Sequence, residues 1–397
     1  MQLGIVGKPN VGKSTFFNAA TQAHAEIANY PFTTIEPNRG VMYIRKPCPC
    51  REFKVTCTPH NSKCINGTRF VPIEAIDVAG LVPDAHKGKG LGNKFLDDLR
   101  QAHALIHIVD ASGSTDEEGT PCAVGSYDPL KDVEFLEKEI TFWLFGIIKK
   151  SWDRLARQSE LEGKKIERML ETQLTGLGIK EGHIISAVKK INLDRSKPSH
   201  WTDDDLLNLA DYVKRISKPI IIAFNKSDKA PESLMDKMNS IKDSVVIPTS
   251  AESELALTNA SEKEIIKYIP GSNDFTIQKK NELTEKQTKA LEYIKSHVLE
   301  KYGSTGIQKC IDEAVNLLDL IVVYPVEDDT HLTDKEGRIL PDAYLVPRGS
   351  TAKDIAYKVH TYLGDHFIRA IDARTHRVIG SDHICEDGDV ISIIADV

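Results

Sequence analysis

The sequence of 397 residues predicts an α/β fold: a domain with a parallel-type sheet, a helical insertion and a small C-terminal module. Three observations support this prediction. Apolar runs at 3–6, 104–110 and 220–224 each lead into a polar loop, as buried parallel strands do. Residues 129–216 show helical patterns, and the segment after residue 320 reads strand, strand, helix, strand, strand. We therefore expect domains at 1–128 with 217–319, at 129–216 and at 320–397.

The first strand runs directly into a loop of the pattern G-x-x-x-x-G-K-S, at residues 7–14. In such a loop the backbone N–H groups face a phosphate, the lysine reaches the β- and γ-phosphate oxygens and the serine hydroxyl reaches Mg²⁺. The helix that follows presents its positive end to the same anion. The predicted nucleotide-binding residues here are Asn10, Val11, Gly12, Lys13, Ser14 and Thr15.

A second motif predicts which base is bound. The apolar strand 220–224 ends in Asn225, Lys226, Ser227 and Asp228, an N-K-x-D pattern. Its aspartate can accept hydrogen bonds from N1–H and the 2-amino group of guanine, a donor pair that adenine lacks. The alternative is an ordinary polar loop after a strand. The later strand 245–248 leads into Ser250 and Ala251, whose backbone could close over the base.

Two further segments lie in the chain order expected of a GTPase. A strand at 73–78 ends in D-x-A-G, so Asp77 could hold the Mg²⁺ water shell and the Gly80 N–H could reach a γ-phosphate. Segment 29–38 supplies Thr33 and Thr34 as candidate metal ligands. The predicted metal set is therefore Ser14, Thr34 and Asp77. Together these motifs predict a GTPase with two switch segments that order on the γ-phosphate.

Bulk composition is ordinary for a globular protein, at 41% hydrophobic and 27% charged residues. A formal net charge of −7 gives no general case for nucleic-acid binding, and we expect no sequence-specific DNA partner. No apolar run approaches the roughly 20 residues that span a bilayer. The chain begins with a strand instead of a secretory signal, so we expect a cytoplasmic protein with no membrane partner.

Four of the seven cysteines cluster in a Pro/Gly/Asn-rich stretch: Cys48, Cys50, Cys57 and Cys64. A structural Zn²⁺ site needs four such ligands, although this spacing is not that of a standard ribbon or finger. Disulfides would compete if the source were a hyperthermophile, and four reduced thiols in a long hairpin are the third possibility. Cys122, Cys310 and Cys385 are scattered and read as small apolar residues.

The insertion is predicted to contain three helices. One extends from Pro129 to about Arg157 with a single apolar stripe, a second spans about 163–174, and a third follows the capping residue Thr202. The segment could form a projecting two-helix arm, as in a coiled coil, or a lid packed on the first domain. Its 16 basic and 15 acidic residues indicate a mixed solvated surface.

The segments 29–38, 77–93, 346–360 and 386–390 together resemble the Obg family of P-loop GTPases, and in particular its YchF branch, also called Obg-like ATPases. The resemblance covers nearly the whole chain. It implies a P-loop G domain, a C-terminal TGS domain with the β-grasp fold, and a nucleotide-dependent factor that associates with ribosomes. Within the family pattern, Thr34 is preferred over Thr33 as the metal ligand.

The sequence departs from that branch in two places. Many members replace the base-reading Lys and Asp and prefer ATP, whereas Asn225, Lys226 and Asp228 are all present here, as in archaeal members. The loop 111–128 also lacks the histidine proposed as catalytic in bacterial relatives. His107 lies on the preceding strand and is expected to be structural.

The sequence therefore predicts a Mg²⁺-dependent, slow GTPase switch acting on ribosomes, with Lys13, Thr34 and Gly80 as catalytic residues. Leu81 stands where Ras-type switches carry a water-orienting glutamine, so weak intrinsic turnover is expected. Asn10 matches the position that binds K⁺ in potassium-activated GTPases, the alternative role being a hydrogen bond within the loop. Other functions considered are a regulatory module that also accepts ATP and acts through protein partners, and an ATP-dependent enzyme.

The C-terminal segment 320–397 carries 8 basic and 14 acidic residues, a net charge of −6. General attraction to RNA phosphates is therefore not available to this module as a whole. Arg369, Arg374 and Arg377 fall close together and could contact a few phosphates. The alternative is a set of solubilising charges around a protein-binding face.

Overall fold

The computed structural model describes residues 1–22, 39–78, 92–242 and 244–396. Thr33, Thr34, Gly80 and Leu81 lie outside these ranges, so their predicted roles stay predictions. The chain divides into two compact units. One contains residues 2–19 and 76–310, and the other contains Met1, 20–75 and 311–397. Among the described residues, no helix is both long and apolar enough to cross a membrane.

The strands and helices are numbered in chain order. The strands are β1 Gln2–Val6, β2 Arg39–Pro47, β3 Lys63–Ile65, β4 Thr68–Asp77, β5 Ala104–Asp110, β6 Ile220–Asn225, β7 Val245–Pro248, β8 Ile266–Lys267, β9 Thr276–Ile277, β10 Leu320–Val326, β11 Tyr344–Pro347, β12 Phe367–Asp372, β13 Arg377–Ile379 and β14 Val390–Ala395. The helices are α1 Lys13–Gln22, α2 Gly92–Gln101, α3 Leu130–Lys149, α4 Trp152–Glu162, α5 Ile166–Leu174, α6 Glu181–Lys190, α7 Asp203–Ser217, α8 Glu232–Asn239, α9 Ala251–Glu262, α10 Glu285–Ile294, α11 Glu300–Tyr302, α12 Ile307–Leu317, α13 Ala352–Val359 and α14 Thr361–Asp365.

The larger unit contains a parallel sheet in which β1, β5, β6 and β7 are neighbours in that order. The strands β1, β5 and β6 are almost entirely buried, which explains their continuous apolar sequences. Because the strands are parallel, their carboxyl ends lie at one edge of the sheet. The loops after β1, β5, β6 and β7 therefore converge there, which is where ligands bind in open α/β sheets.

Helices α3 to α7 form one helical block instead of a two-helix arm. Leu136, Ile140, Trp143 and Leu144 of α3 are buried in a core that also contains Val6 and residues of α2. The insertion thus packs on the sheet domain, as the lid alternative supposed. The ring of Trp152 stacks on that of Trp201, with centroids 5.1 Å apart.

The predicted helix boundaries in this block were partly wrong. The chain ends α3 at Lys149 and begins α4 at Trp152, where one continuous helix was expected. Gly163, predicted to begin a helix, instead ends α4 in the left-handed region at φ 64°. The helix α6 was not predicted. The helix α7 begins as expected, because Thr202 and Asp205 form a capping box.

In the second unit, the C-terminal sheet has the strand order β11-β10-β14-β12-β13. Residues of α13 pack on this sheet in a core that includes Ile355, Ile321 and Ile391. The predicted strands and helix are present, while β13 and the short α14 were not predicted. The same unit contains β2 beside β4, and the hairpin in which β3 pairs with β4 in antiparallel register.

Candidate nucleotide site

The phosphate-binding loop lies between β1 and α1. Asn225, at the end of β6, forms a hydrogen bond to this loop. The buried Asn225 side chain donates to the Val11 carbonyl at 2.8 Å and accepts from the Ala251 N–H at 3.0 Å. Gly12 has φ 92°, and a Cβ there would come within 2.3 Å of Asn225 Nδ2. Glycine is therefore required at this position, and one amide joins three predicted segments.

Lys13 lies at the start of α1, beside the end of β4. Its ammonium contacts the Asp77 carboxylate and donates to the Val78 carbonyl at 2.9 Å. Ser14 and Thr15 follow in the first turn, with the Ser14 side chain exposed. The structure thus brings the predicted lysine and the predicted metal-ligand carboxylate together at the amino end of a helix.

The predicted base-reading aspartate is held in place on both sides. Ser250 Oγ donates to Asp228 Oδ1 at 2.9 Å, and Tyr293 OH lies 3.4 Å from Asp228 Oδ2. Burial and the neighbouring Asp228 carboxylate raise the pKa of Tyr293, so its phenol stays protonated and can donate. The half-buried Asp228 carboxylate is therefore fixed in orientation at the edge of the site.

The side chain of Lys226 connects the phosphate loop to the end of β5. In left-handed conformation at φ 60°, it extends its ammonium to Asn10 O at 2.9 Å and to Asp110 Oδ2 at 2.9 Å. Burial by itself would raise the pKa of Asp110, but hydrogen bonds from Lys226, Ser112 and Ser114 hold it below its usual range. Asp110 is therefore ionised, and it links the β5 loop to the phosphate loop through Lys226.

Lys8 makes a second connection, between the phosphate loop and helix α3. Its buried ammonium lies 2.8 Å from Asp132 Oδ2 in the first turn of α3, and 3.9 Å from the centroid of the Tyr127 ring. These residues line a cavity of about 50 Å³ together with His107. Burial, with a smaller effect of Lys8, lowers the pKa of His107 to about 3, so this imidazole is neutral. His107 is structural in this setting, as expected.

Asn10 makes a loop hydrogen bond. Its Nδ2 donates to the Gly119 carbonyl at 3.0 Å, and its backbone is left-handed at φ 61°. The β5 loop therefore lies against the phosphate loop. The contacts of Asn10 include the hydrogen bond considered as its alternative role, and its Oδ1 is the atom that a cation would need.

The structure brings together all the predicted site residues that it describes, and it adds several that the sequence motifs did not reveal. Lys8, Asp110 and Tyr293 were not singled out as site residues. Asp110 had a visible signal, because it ends a buried strand as Asp77 does. Tyr293 had none, since it comes from a helix far along the chain with no motif of its own.

Three family models match the chain. Residues 2–139 match "50S ribosome-binding GTPase", residues 223–328 match "Obg-like GTPase YGR210-like, G4 motif-containing domain", and residues 332–395 match "TGS domain". The first two matches fall largely in the two segments predicted to form the G domain, and the third lies within the predicted C-terminal module.

The similar proteins include an uncharacterized GTP-binding protein of Methanocaldococcus jannaschii, 54% identical over 99% of this chain and 98% of the relative. Obg-like ATPase 1 of Homo sapiens is 31% identical over 98% of this chain and 91% of its own length. Among solved structures, a GTP-binding protein of Pyrococcus horikoshii OT3 aligns over 100% of both chains with a TM-score of 0.77 and 40% identity.

Proposed function

Because the chain belongs to the YchF/Obg-like ATPase family of P-loop GTPases, we propose that it is a Mg²⁺-dependent GTPase switch that prefers GTP to ATP and acts on ribosomes. The alternative within the family is a nucleotide-binding module that also accepts ATP. Relatives carry both kinds of name, since the M. jannaschii protein is called GTP-binding and the human one an ATPase. The chain's own residues have to decide between them.

The observation that carries the preference for guanine is the position of Asp228. Its carboxylate is tied to Ser250 and Tyr293 and remains half exposed at the site edge. A carboxylate fixed in this way can accept from two donors on guanine, whereas adenine presents no matching pair. With adenine bound, the Asp228 carboxylate would lack hydrogen-bond donors from the base, and such a loss discriminates strongly against the wrong nucleotide.

The phosphate end of the site supplies charge. Lys13 and the amino end of α1 would stabilise negative charge on the β- and γ-oxygens. The Ser14 hydroxyl and the Asp77 carboxylate are the hard oxygen donors that Mg²⁺ prefers, so the residues present fit this ion. When bound, the ion neutralises charge that develops on the β- and γ-phosphates. The roles of Thr34 as a metal ligand and of the Gly80 N–H at the γ-phosphate are proposed from the sequence alone.

We propose the ribosome as partner because the name of one relative and the description of one matching family model both mention ribosome binding. The Buchnera relative, 28% identical over 99% of both chains, is called "Ribosome-binding ATPase YchF", and residues 2–139 match a model of 50S ribosome-binding GTPases. Such a partner would place the protein in the cytoplasm. Co-sedimentation with ribosomes in the GDP state and with a non-hydrolysable GTP analogue tests this assignment directly.

The base preference is tested by the change Asp228→Asn. We expect the wild type to bind GTP on the order of a hundredfold more tightly than ATP, and the variant to lose affinity for GTP while gaining affinity for xanthosine triphosphate. Glu252→Gln is the matched control, because it removes an exposed carboxylate that pairs with Lys229 at 3.0 Å. Equal dissociation constants for GTP and ATP in the wild type would contradict the proposal.

Slow intrinsic hydrolysis follows from Leu81, since a leucine side chain cannot orient water. We propose that K⁺ bound at Asn10 Oδ1 contributes the missing positive charge. Turnover should then be severalfold faster in KCl than in NaCl at equal ionic strength, and Asn10→Ala should remove the difference. Equal rates in the two salts would count against a cation at Asn10. The hydrogen bond from Asn10 to Gly119 would then be its sole role.

A further inference from the structure

The four clustered cysteines lie outside the nucleotide site, in the second unit. Cys48 follows β2, Cys50 lies in the 3₁₀ turn Pro49–Arg51, and Cys64 is the central residue of β3. Together with Cys57, they bring four sulfur atoms within 4.8 Å of one another. All four are free thiols, and Cys48 and Cys50 are buried.

The sulfur positions match a tetrahedral ion. Zinc binds thiolates at about 2.3 Å, so two sulfurs on a tetrahedral ion lie about 3.8 Å apart. The Cys48 and Cys57 sulfurs are 3.9 Å apart, and the same distance separates those of Cys50 and Cys64. These two separate pairs form opposite edges of a group of four sulfurs that all lie within 4.8 Å of one another, as the ligands of one ion would.

Backbone hydrogen bonds and turns bring the chain around the cluster into position. The Cys48 N–H donates to the Gly67 carbonyl at 2.9 Å, and the Cys50 carbonyl accepts from Val55 at 3.0 Å. Lys54 and Asn66 adopt left-handed conformations that turn the chain back toward the cluster. The sulfurs therefore converge because of the turns, which is the kind of preorganisation a structural metal site uses.

A buried cation supports an anionic cluster here. Arg69 pairs with Cys64 across the β3–β4 ladder, so the two residues share a face of the hairpin. Its guanidinium is fully buried, and its Nε and Nη1 have no hydrogen-bond partner within the described residues. A buried charge needs a counter-charge. Four thiolates around a divalent ion carry a net charge of −2, which would supply it.

We propose that Cys48, Cys50, Cys57 and Cys64 bind one structural Zn²⁺ ion, and that this ion fixes the loop on which the C-terminal module is held. The loop in question is residues 58–61, which two of the ligands, Cys57 and Cys64, bracket in sequence. The proposal is independent of the nucleotide site, because no residue of the cluster takes part in it.

Residues 58–61 hold the C-terminal module through a row of hydrogen bonds to residues 339–343. The bonds are Thr58 N–H to Ile339 O at 2.9 Å, Ile339 N–H to Thr58 Oγ1 at 2.7 Å, His60 N–H to Pro341 O at 2.7 Å, Asn61 Nδ2 to Ala343 O at 3.1 Å and Ala343 N–H to Asn61 Oδ1 at 3.0 Å. His60 itself turns toward Asp342 and is not part of the cluster. Loss of the ion would free both ends of this loop.

The first experiment is metal analysis of the full-length protein, purified under reducing conditions without chelator. We expect about one zinc per chain in the wild type and in the control Cys122→Ser, whose thiol lies in the other unit. Cys50→Ser and Cys64→Ser should lose most of the metal. Absence of metal, stoichiometric iron, or full zinc retention in Cys64→Ser would overturn the site. Cobalt substitution of the wild type, read by its tetrahedral thiolate absorption, provides evidence even if a variant fails to fold.

The second experiment is hydrogen exchange on wild-type protein before zinc removal, after removal and after zinc is returned. The amides of Thr58, His60 and Ile339 should exchange at least about tenfold faster without zinc and recover when it is restored, because their bonds hold the loop that the ion fixes. Amides of β6 serve as the internal control. Unchanged exchange at residues 58–61 and 339–343 would overturn the structural role of the ion.

Discussion

Lys8, in the phosphate loop, contacts a residue of the helical block that the loop motif does not specify. The motif pattern leaves this position variable, yet the buried ammonium pairs with Asp132 on α3 and lies over the Tyr127 ring. Burial raises the pKa of Asp132 despite the nearby Lys8 charge, so the pair is held at a cost in desolvation. Through this ion pair, Lys8 connects the phosphate loop to the helical block.

His107 makes the stability of the protein depend on pH. Its pKa is about 3 in the folded protein because of burial, against about 6.5 when unfolded. Below pH 6.5, His107 becomes protonated in the unfolded chain but stays neutral in the folded protein. The free energy of unfolding should therefore fall by up to about 1.4 kcal/mol per pH unit as the pH drops from 6.5 toward 3.

The measurement is urea denaturation of the wild type and of His107→Gln at several pH values in this range. The variant should show a shallower fall in stability, because it lacks the titrating group. Exposed His200→Gln is the control and should keep the wild-type slope. Parallel curves for the wild type and His107→Gln would show that other groups cause the loss at low pH.

At the residue level, the sequence motifs predicted which residues lie near one another. Asn225, Lys13 and Asp228 belong to motifs with fixed spacings, and the structure brings the segments that carry them together. Tyr293 and Lys8 could not be predicted, because their roles depend on contacts between distant segments. A hydrogen bond such as that from Tyr293 to Asp228 leaves no periodicity in the sequence.

The elements show a similar contrast. Strands with continuous apolar sequences and the capped helix α7 were predicted well, since local patterns specify both. The break between α3 and α4 occurs near Ser151 without proline. The helix α6 begins at Glu181, and the residue that precedes it is Lys180 instead of a serine, threonine, aspartate or asparagine cap. These boundaries depend on packing of the helical block, where the stacked Trp152 and Trp201 rings lie.

The capping box of α7 gives a prediction for this element. Thr202 Oγ1 accepts from the Asp205 N–H at 3.2 Å, and the Asp205 carboxylate accepts from the Thr202 N–H at 2.8 Å. Thr202→Ala removes one of these bonds and should lower the free energy of unfolding by about 1 kcal/mol. Thr202→Ser retains the hydroxyl and should stay within a few tenths of the wild type. Chemical denaturation measures both, and equal losses in the two variants would argue against the cap.

At the scale of the whole molecule, the three arginines that lie close together in the sequence, Arg369, Arg374 and Arg377, are not equally available to RNA. Arg374 makes a two-pronged ion pair with Glu52, at 2.8 and 3.0 Å, and also donates to the Gly388 carbonyl. Arg369 and Arg377 remain exposed. The arginine cluster predicted from the sequence is thus partly used to hold the C-terminal module against the segment that carries the cysteines.

This arrangement changes the salt dependence that we expect if the protein binds ribosomes as proposed. Each phosphate contact contributes about 0.7–0.9 to the slope of log K against log salt, so two arginines give about −1.4 to −1.8, where three contacts would give −2 to −3. Co-sedimentation at several KCl concentrations measures the slope, and Arg369→Gln with Arg377→Gln should bring it near zero. Arg348→Gln, which breaks an exposed pair with Asp319, is the control. A slope several times steeper would show that a basic surface elsewhere makes the main contact. The helical insertion, with 16 basic residues, would then be the first surface to mutate.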